Sequence, residues 1–167
     1  ALEDVHRLLG DNESAKEYDS INKNIKKPDT KAKWSQWWDL QDLGYNLLGK
    51  KEYDKALNIF SQSLDLSKEI SVSYERQSLT NIGYVYKRLE KYTVALSFYN
   101  KALKVSREHN AKGEELATLL IIAAMYDYPW LSDYPNALDY YEQALVIAKE
   151  IGDRPSEEKC LTSIGQI

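Results

Sequence analysis

Two linked sequence patterns recur along this 167-residue chain, and their repetition constrains the fold more than any other feature. The first pattern places a small residue one position after an apolar one, and its copies are centred on Gly44, Gly83 and Ala123. These copies follow one another at intervals of about 40 residues, and the first half of the pattern returns at Gly165. Self-similarity at a fixed period predicts a stack of similar structural units.

A second pattern follows each of the first three copies, with its members three or four residues apart. That spacing places the members on one face of an α-helix, so each unit is predicted to be a pair of antiparallel helices. The members are Tyr53, Ala56, Leu57, Phe60 and Leu64, then Tyr92, Ala95, Leu96, Tyr99 and Leu103, then Tyr134, Ala137, Leu138, Tyr141 and Leu145.

The small residue of the first pattern has a packing explanation. Glycine inside a helix costs about 1 kcal/mol relative to alanine, so its reuse at Gly44 and Gly83 indicates that close packing offsets the loss. We therefore predict that the two helices of a hairpin approach closely there, with Ala56, Ala95 and Ala137 as small residues on the second helix.

Turn signals separate the predicted helices. Gly152 has the position of a C-terminal helix cap, and Pro155 that of a residue opening the next helix. His109, Asn110 and Gly113 mark the same boundary one copy earlier. The third copy has two extra residues in the segment 128–133, and its proline predicts a longer turn there.

The Leu-Gly-x-x-Leu step at residues 43–47 and the Ala-x-x-x-Phe step at residues 56–60 resemble the tetratricopeptide repeat. The resemblance covers residues 34–167 and implies an all-α fold, a right-handed superhelix of antiparallel helical hairpins. The period is longer than the usual one of roughly 34 residues. It is more similar to the long-repeat subclass of kinesin light chains, polarity adaptors and bacterial regulatory proteins, as is the Lys-Glu-Ile-Gly-Asp phrase at residues 149–153.

This resemblance predicts a domain over residues 34–167 that follows a separate segment, residues 1–33. Its hairpins are expected at about 34–72, 73–112 and 113–153, with a partial fourth from 154. Since Ile167 falls inside the first helix of that fourth hairpin, we expect the natural protein to continue. We also expect it to begin before Ala1, because the only methionine is Met125.

Residues 1–33 do not match the repeat but carry two short apolar stripes, which predict two amphipathic helices. These helices either cap the apolar face of the first hairpin, as solenoids require at their ends, or fold into the groove as a competing arm. The stripes are Leu2, Val5, Leu8 and Leu9, then Tyr18, Ile21 and Ile25.

Composition excludes several classes of partner. The net charge of −4 argues against binding nucleic acid through a basic surface. A short basic run is better explained as a solvated helix end and linker than as a phosphate site. The longest apolar run, residues 116–125, is far shorter than the roughly 20 residues of a membrane span, so no membrane partner is predicted. The basic run contains Lys23, Lys26, Lys27, Lys31 and Lys33.

The sequence also predicts where the protein resides. The first thirty residues are charged throughout, unlike a secretory signal, and the single cysteine, Cys160, allows no intrachain disulfide. A cytoplasmic location is therefore expected.

Catalytic chemistry has little support in the sequence. His6 and His109 lie about a hundred residues apart, and no metal-binding, nucleophile or phosphate-loop motif accompanies them. Cys160 is predicted to be a packed free thiol. The acidic pairs 114–115 and 157–158 fit helix starts, where negative charge is favourable. We therefore predict no enzyme, no cofactor and no metal.

The family resemblance implies that the first helix of each hairpin lines a concave groove. If Leu40, Leu43, Gly44 and Leu47 face inward, the opposite face is predicted to bind an extended peptide or an amphipathic helix. Its predicted residues are Trp38, Gln41, Asp42 and Tyr45, then Gln77, Thr80, Asn81, Tyr84 and Arg88, then Ala117, Leu120, Ile121, Ala124 and Tyr128, then Lys159, Thr162, Ser163 and Gln166.

Two details of the resemblance bear on the ligand. Asn81 occupies the position where the long-repeat subclass often carries an asparagine that holds the ligand backbone. The lysine and asparagine with which some of these domains clamp a C-terminal carboxylate would fall at Gln41 and Tyr45, so that mode is disfavoured. The leading prediction is thus a peptide- or protein-binding adaptor or regulatory module. The alternative is a structural scaffold that self-associates through its repeat ends.

Overall fold

The computed structural model describes residues 28–127 and 130–167, with side chains from residue 31 onward. Those residues form seven helices and no strand, which confirms the predicted all-α class. The two N-terminal helices predicted upstream lie outside the described residues, as does His6. The helices are α1 (Pro28–Gly49), α2 (Tyr53–Ser67), α3 (Val72–Arg88), α4 (Tyr92–Glu108), α5 (Lys112–Tyr126), α6 (Tyr134–Ile151) and α7 (Arg154–Gln166).

The first helix begins before the predicted domain boundary at residue 34. Pro28 opens α1, a position where its fixed φ and missing N–H are tolerated. Lys31 and Lys33 therefore belong to the first two turns of α1 rather than to a linker, and Lys33 forms an ion pair with Glu69 at 2.7 Å.

Consecutive helices pack against each other as a stack of hairpins in two layers. Side chains connect α1 with α3 and α3 with α5, whereas Arg107 of α4 donates to Gln143 of α6 at 2.8 Å. We call the helices α1, α3, α5 and α7 the odd layer and the helices α2, α4 and α6 the even layer. This arrangement is the predicted solenoid of helical hairpins.

The two recurrent glycines allow the close approach that the sequence predicts. A Cβ added at Gly44 would lie 2.5 Å from the Phe60 ring, and one at Gly83 would lie 2.6 Å from the Tyr99 ring. The contacted residue is the aromatic one of the second pattern, four residues after the small alanine. At Gly165 an added Cβ would meet nothing within 4 Å, because α7 has no second helix packed on that side among the described residues.

The turns also follow the sequence signals. Gly152 caps α6 with a left-handed φ of 75°, and Pro155 lies in the first turn of α7, as predicted. Asn110 has a left-handed φ of 54° at the end of α4. Seven residues separate α5 from α6, which confirms the longer turn of the third hairpin. In that turn the Lys87 ammonium lies over the Trp130 ring, with its nitrogen 3.5 Å from the ring centroid.

The largest core cluster lies between the second and third hairpins and extends to α7. Cys160 is fully buried there, which confirms the predicted packed thiol, and burial raises its pKa. None of the described helices is both long and apolar enough to cross a membrane. The cluster includes Leu96, Tyr99, Leu103, Leu116, Leu119, Ile122, Met125, Ala144, Ile147 and Cys160.

One predicted core position is wrong. Leu43 was expected to face inward, yet its side chain is 46% exposed, whereas the equivalent Ile82 is 3% exposed. Ile82 packs against Ala56 and Phe60 of the preceding helix α2. No hairpin precedes α1 among the described residues, so Leu43 has no such neighbour to cover it.

Candidate functional site

A stripe of exposed and half-buried side chains runs along each odd-layer helix. On α1 it consists of Trp38, Asp42 and Tyr45, which are spaced three or four residues apart and are all exposed. On α3 the stripe consists of the half-buried Gln77 and the exposed Tyr84 and Arg88. On α5 its side chains are small or aliphatic, and only the first of them is exposed. We call these stripes together the odd-layer face; its α5 residues are Ala117, Ile121 and Ala124.

Part of the predicted groove is not at the surface. Gln41, Thr80 and Asn81 are 2%, 6% and 5% exposed, so the prediction that they point away from the packed side is wrong. Gln41 precedes Gly44 by three residues, which places both on the same side of the helix. Leu120 is half-buried against the core. Tyr128, which was also predicted to line the groove, lies outside the described residues.

The last predicted stripe lies on α7. Lys159, Thr162 and Gln166 are exposed and Ser163 is half-buried, so the described chain places all four at or near the surface. They are polar, unlike the stripe on α5.

Asn81 is at the centre of a hydrogen-bond network between α1 and α3. Its Nδ2 donates to Gln41 Oε1, and its Oδ1 accepts from Tyr45 Oη and Gln77 Nε2, both at 2.9 Å. Gln41 Nε2 in turn donates to Ser63 Oγ of α2 at 2.9 Å. Both ends of the Asn81 amide are therefore engaged inside the protein, which is a different use from the ligand-holding one that the family resemblance implies.

The network extends to a buried tryptophan that the sequence analysis did not single out. Trp37 Nε1 donates to Ser78 Oγ at 3.0 Å, and Ser63 Oγ donates to Ser78 Oγ at 3.2 Å. A signal for this network was present in the repeat, because Ser63 stands where the other copies carry Ala102 and Ala144. Buried polar networks whose members are all bonded hold their elements in one arrangement.

The connection between α3 and α5 is made differently. The Arg76 guanidinium of α3 forms an ion pair with Glu114 of α5, and both side chains are largely buried. Ser73 Oγ also donates to Glu114 at 2.8 Å. The next residue, Glu115, accepts from Arg107 of α4 at 2.7 Å. Both glutamates lie in the first turn of α5, as predicted, but they also join neighbouring helices, which the sequence analysis missed.

An open pocket lies where α1 and α3 end side by side. It has a volume of about 310 Å³ and is open to solvent on the odd-layer face. The neighbouring hydroxyls of Tyr84 and Tyr53 raise the pKa of the Arg88 guanidinium. We call this site the Arg88 pocket; it is lined by Tyr45, Leu48, Gly49, Tyr84 and Arg88.

No cluster of three or more His, Cys, Asp or Glu side chains that could hold a metal ion occurs within residues 28–127 and 130–167. His109 lies at the end of α4, where its Nδ1 is 2.9 Å from the Val105 carbonyl oxygen. This is the helix-terminal position expected from the sequence.

Comparisons with known proteins agree with this architecture. Two family models, both described as tetratricopeptide repeat, match residues 37–108 and 118–155. No curated protein matches the sequence.

Among solved structures, the fold is similar to the TPR domain of Arabidopsis FLU, with a TM-score of 0.57 and 20% identity over 71% of this chain and 98% of that one. It is also similar to the N-terminal domain of stress-induced protein-1 from C. elegans, with a TM-score of 0.58 and 19% identity over 80% of this chain and 94% of that one. At these identities the likeness concerns the fold.

Proposed function

Because this chain belongs to the tetratricopeptide repeat family, we propose that it is an adaptor or regulatory module whose odd-layer face holds a segment of another protein. Domains of this family are typically protein-interaction modules rather than enzymes. Stacked repeats offer the extended surfaces that such binding requires. We further propose that the module works in the cytoplasm.

The observation that carries this proposal is the row of exposed aromatic side chains on one layer. Trp38, Tyr45 and Tyr84 are 37%, 48% and 40% exposed, although aromatic residues of this size are normally more buried. Tryptophan, tyrosine and arginine are the residues that most often dominate binding energy at protein interfaces. Their alignment on α1 and α3 therefore favours this face as the binding surface.

The buried network beneath these residues supports the same assignment. Tyr45 is fixed from below by its hydrogen bond to Asn81, which is itself bonded to Gln41 and Gln77. A surface that is ordered before binding loses less conformational entropy when a ligand arrives. The odd-layer face is therefore already ordered before binding, so that the conformational entropy lost on binding is mainly that of the peptide.

The chemistry of the face indicates the form of the ligand. Its α1 and α3 sectors are aromatic and polar, and its α5 sector is aliphatic, with Ala117, Ile121 and Ala124. An extended peptide with alternating polar and apolar side chains fits this sequence of sectors, as does the apolar side of an amphipathic helix.

The test is a comparison of two matched double variants in affinity capture from the source cells, with bound proteins quantified by mass spectrometry. Trp38→Ala/Tyr84→Ala removes two exposed side chains from the odd layer. Val94→Ala/Tyr134→Ala removes two exposed side chains from the even layer. We expect the first variant to lose partners that the wild type and the second variant retain. Equal recovery by both variants would show that the odd-layer face is the wrong surface.

A second candidate function, self-association through the repeat ends, is favoured by a separate observation. Leu43 in α1 and Leu161 in α7 are 46% and 50% exposed, whereas the equivalents of Leu161 in the second and third copies, Leu79 and Leu119, are buried. Two such ends can join head to tail, which generates rings or filaments.

Sedimentation at increasing concentration separates this scaffold from the adaptor. A scaffold should show a rising mass that Leu161→Glu abolishes. A chain that stays monomeric at high concentration does not use its ends in this way.

A further inference from the structure

We propose that the Arg88 pocket binds the side-chain carboxylate of an aspartate or glutamate within the partner's peptide. This inference rests on the proposed function and names the chemistry that one site of the odd-layer face recognises. The occupant is an acidic residue inside a peptide segment rather than a free C-terminus.

The charge of the pocket is the first argument. Arg88 is exposed, and within the described residues no carboxylate forms an ion pair with it. Arg76 and Arg107, by contrast, pair with Glu114 and Glu115. An exposed guanidinium that has no carboxylate partner in the described part of the chain is available to an acidic group of a ligand.

The hydrogen-bonding capacity of Arg88 is the second argument. A guanidinium has five N–H donors and no acceptor, and its planar edge matches a carboxylate with two parallel bonds. The Tyr84 and Tyr53 hydroxyls are close enough to raise its pKa, and two hydroxyls cannot occupy all five donors. Donors therefore remain for a ligand.

The shape of the pocket is the third argument. At about 310 Å³ it lies at the lower end of the range of ligand sites, which suits one side chain with its adjoining backbone. Gly49 forms one wall, and a Cβ added there would meet nothing within 4 Å, so the entrance beside it is open. The Tyr45 and Tyr84 rings provide apolar walls against which the methylene groups of a glutamate can pack.

Neighbouring charges set the direction of the peptide. Lys50 and Lys51 are exposed in the turn that follows Gly49. Lys87 also lies close to Arg88: burial lowers the pKa of Lys87 most, and the charge of Arg88 lowers it further. Asp42 lies further back on the same stripe of α1 and is exposed. The cations at the Arg88 end outnumber the two carboxylates of the same turns, Glu52 and Glu90. An acidic side chain is therefore attracted to the Arg88 end of the face and repelled from the Asp42 end.

The experiment is a peptide selection against the full 167-residue chain, using random twelve-residue peptides displayed on phage with their C-termini fused to the coat protein. Only side chains can then supply a carboxylate. We expect wild-type protein to enrich peptides with aspartate or glutamate at one fixed register position. Selection against Arg88→Gln should lose that preference and keep the preferences at other positions. Arg154→Gln, which makes the same substitution on an exposed residue at the start of α7 and outside the pocket lining, is the matched control and should keep the acidic preference.

A double-mutant cycle with one recovered peptide then tests the contact between its carboxylate and Arg88. Replacing its acidic residue by the corresponding amide should weaken binding to the wild type roughly ten- to a hundredfold, as expected for a charge-assisted pair. The same peptide change should have little effect on binding to Arg88→Gln, and thermal melting of each variant checks that it is folded.

The outcomes separate this inference from the function on which it rests. Enriched peptides without an acidic preference, or with one that Arg88→Gln leaves unchanged, overturn the pocket assignment while peptide binding stands. Acidic enrichment found only in a second library with free C-termini overturns the choice of a side-chain carboxylate. If no peptide is enriched over bare matrix, the proposed peptide-binding function fails and the pocket assignment fails with it.

Discussion

The first two junctions within the odd layer, α1 with α3 and α3 with α5, are held together by different chemistry. Between α1 and α3, Gln41 and Asn81 join through their amides, with both side chains buried. At the equivalent positions between α3 and α5 stand Thr80 and Ile121, whose side chains offer no such pair. Arg76 and Glu114 make the polar connection there instead, nearer the start of the two helices.

This difference indicates that the repeated sequence pattern determines how the helices stack, whereas the interactions that join neighbouring hairpins differ from one junction to the next. The hairpin-forming positions are reused from copy to copy, whereas the junction between neighbouring hairpins is free to vary. A directional amide network fixes the first junction, and apolar packing with an ion pair fixes the second. The exposed face changes in parallel, from aromatic and polar on α1 and α3 to aliphatic on α5.

The largest expected effect comes from replacing one partner of the Gln41–Asn81 pair by isoleucine, the residue that stands at the equivalent position of the second junction. Asn81→Ile leaves the buried Oε1 of Gln41 without its donor, and we expect a loss of about 3 kcal/mol in the free energy of unfolding. Adding Gln41→Leu should restore much of the loss, because replacing both partners by apolar groups removes the unsatisfied amide. Urea denaturation of the three proteins measures both values. A double variant no more stable than Asn81→Ile would contradict this account of the network.

The next effect compares two glycines at equivalent repeat positions. Gly83→Ala should lower stability by about 1–2 kcal/mol, because the new methyl group overlaps the buried Tyr99 ring by more than helix propensity can offset. Gly165→Ala meets open space and should raise stability by up to about 1 kcal/mol. Thermal unfolding of the pair distinguishes them, and a stabilising Gly83→Ala would refute the close approach of α3 and α4.

A third effect depends on pH and separates the hairpins. Burial raises the pKa of Tyr99 and Tyr141, whereas the first hairpin has Phe60 at this position. The unfolded chain releases these protons near pH 10 and the folded chain retains them, so stability is full below about pH 10 and falls as the pH rises toward the folded pKa.

Each fully shifted tyrosine contributes at most about 1.4 kcal/mol per pH unit to this fall. Denaturation at pH 9 to 11 measures the slope. Tyr99→Phe and Tyr141→Phe should each make it shallower, with Tyr53→Phe, a half-buried tyrosine of the first hairpin, as the comparison. An unchanged slope in both core variants would rule out buried phenols as its cause.

The smallest effect concerns the inserted turn of the third hairpin. Lys87→Met keeps most of the aliphatic stem but removes the charge over the Trp130 ring. We expect a loss of about 0.5–1 kcal/mol in unfolding free energy together with a change in tryptophan fluorescence. Lys101→Met removes the charge over the Phe98 ring at a longer distance, 4.5 Å, and should cost less.

The hairpins could be predicted from the sequence because their signals are local and repeated. Gly83 and Tyr99 recur in equivalent form in the first copy as Gly44 and Phe60, and Gly152 ends its helix by a rule that depends on one residue. Three copies of the same spacing identify both helices and the side on which they meet.

The junctions between hairpins could not be predicted in the same way. An interior helix such as α3 is covered on nearly every side, by α1, α2, α4 and α5. A single division into packed and exposed faces therefore placed Asn81 at the surface and Leu43 in the core, the reverse of what the structure has. Two of the partners of Asn81 lie 36 and 40 residues away on α1, beyond what helical periodicity can indicate.

The central claim, that the odd-layer face binds a protein, is tested most directly by site-specific photo-crosslinking in the source cells. Benzoylphenylalanine placed at Trp38 or Tyr84 should form a covalent adduct with a partner protein. The same probe at Val94 or Tyr134, which are similarly exposed on the even layer, should not. Adducts that form from the even-layer positions and are missing from both odd-layer positions would contradict the account.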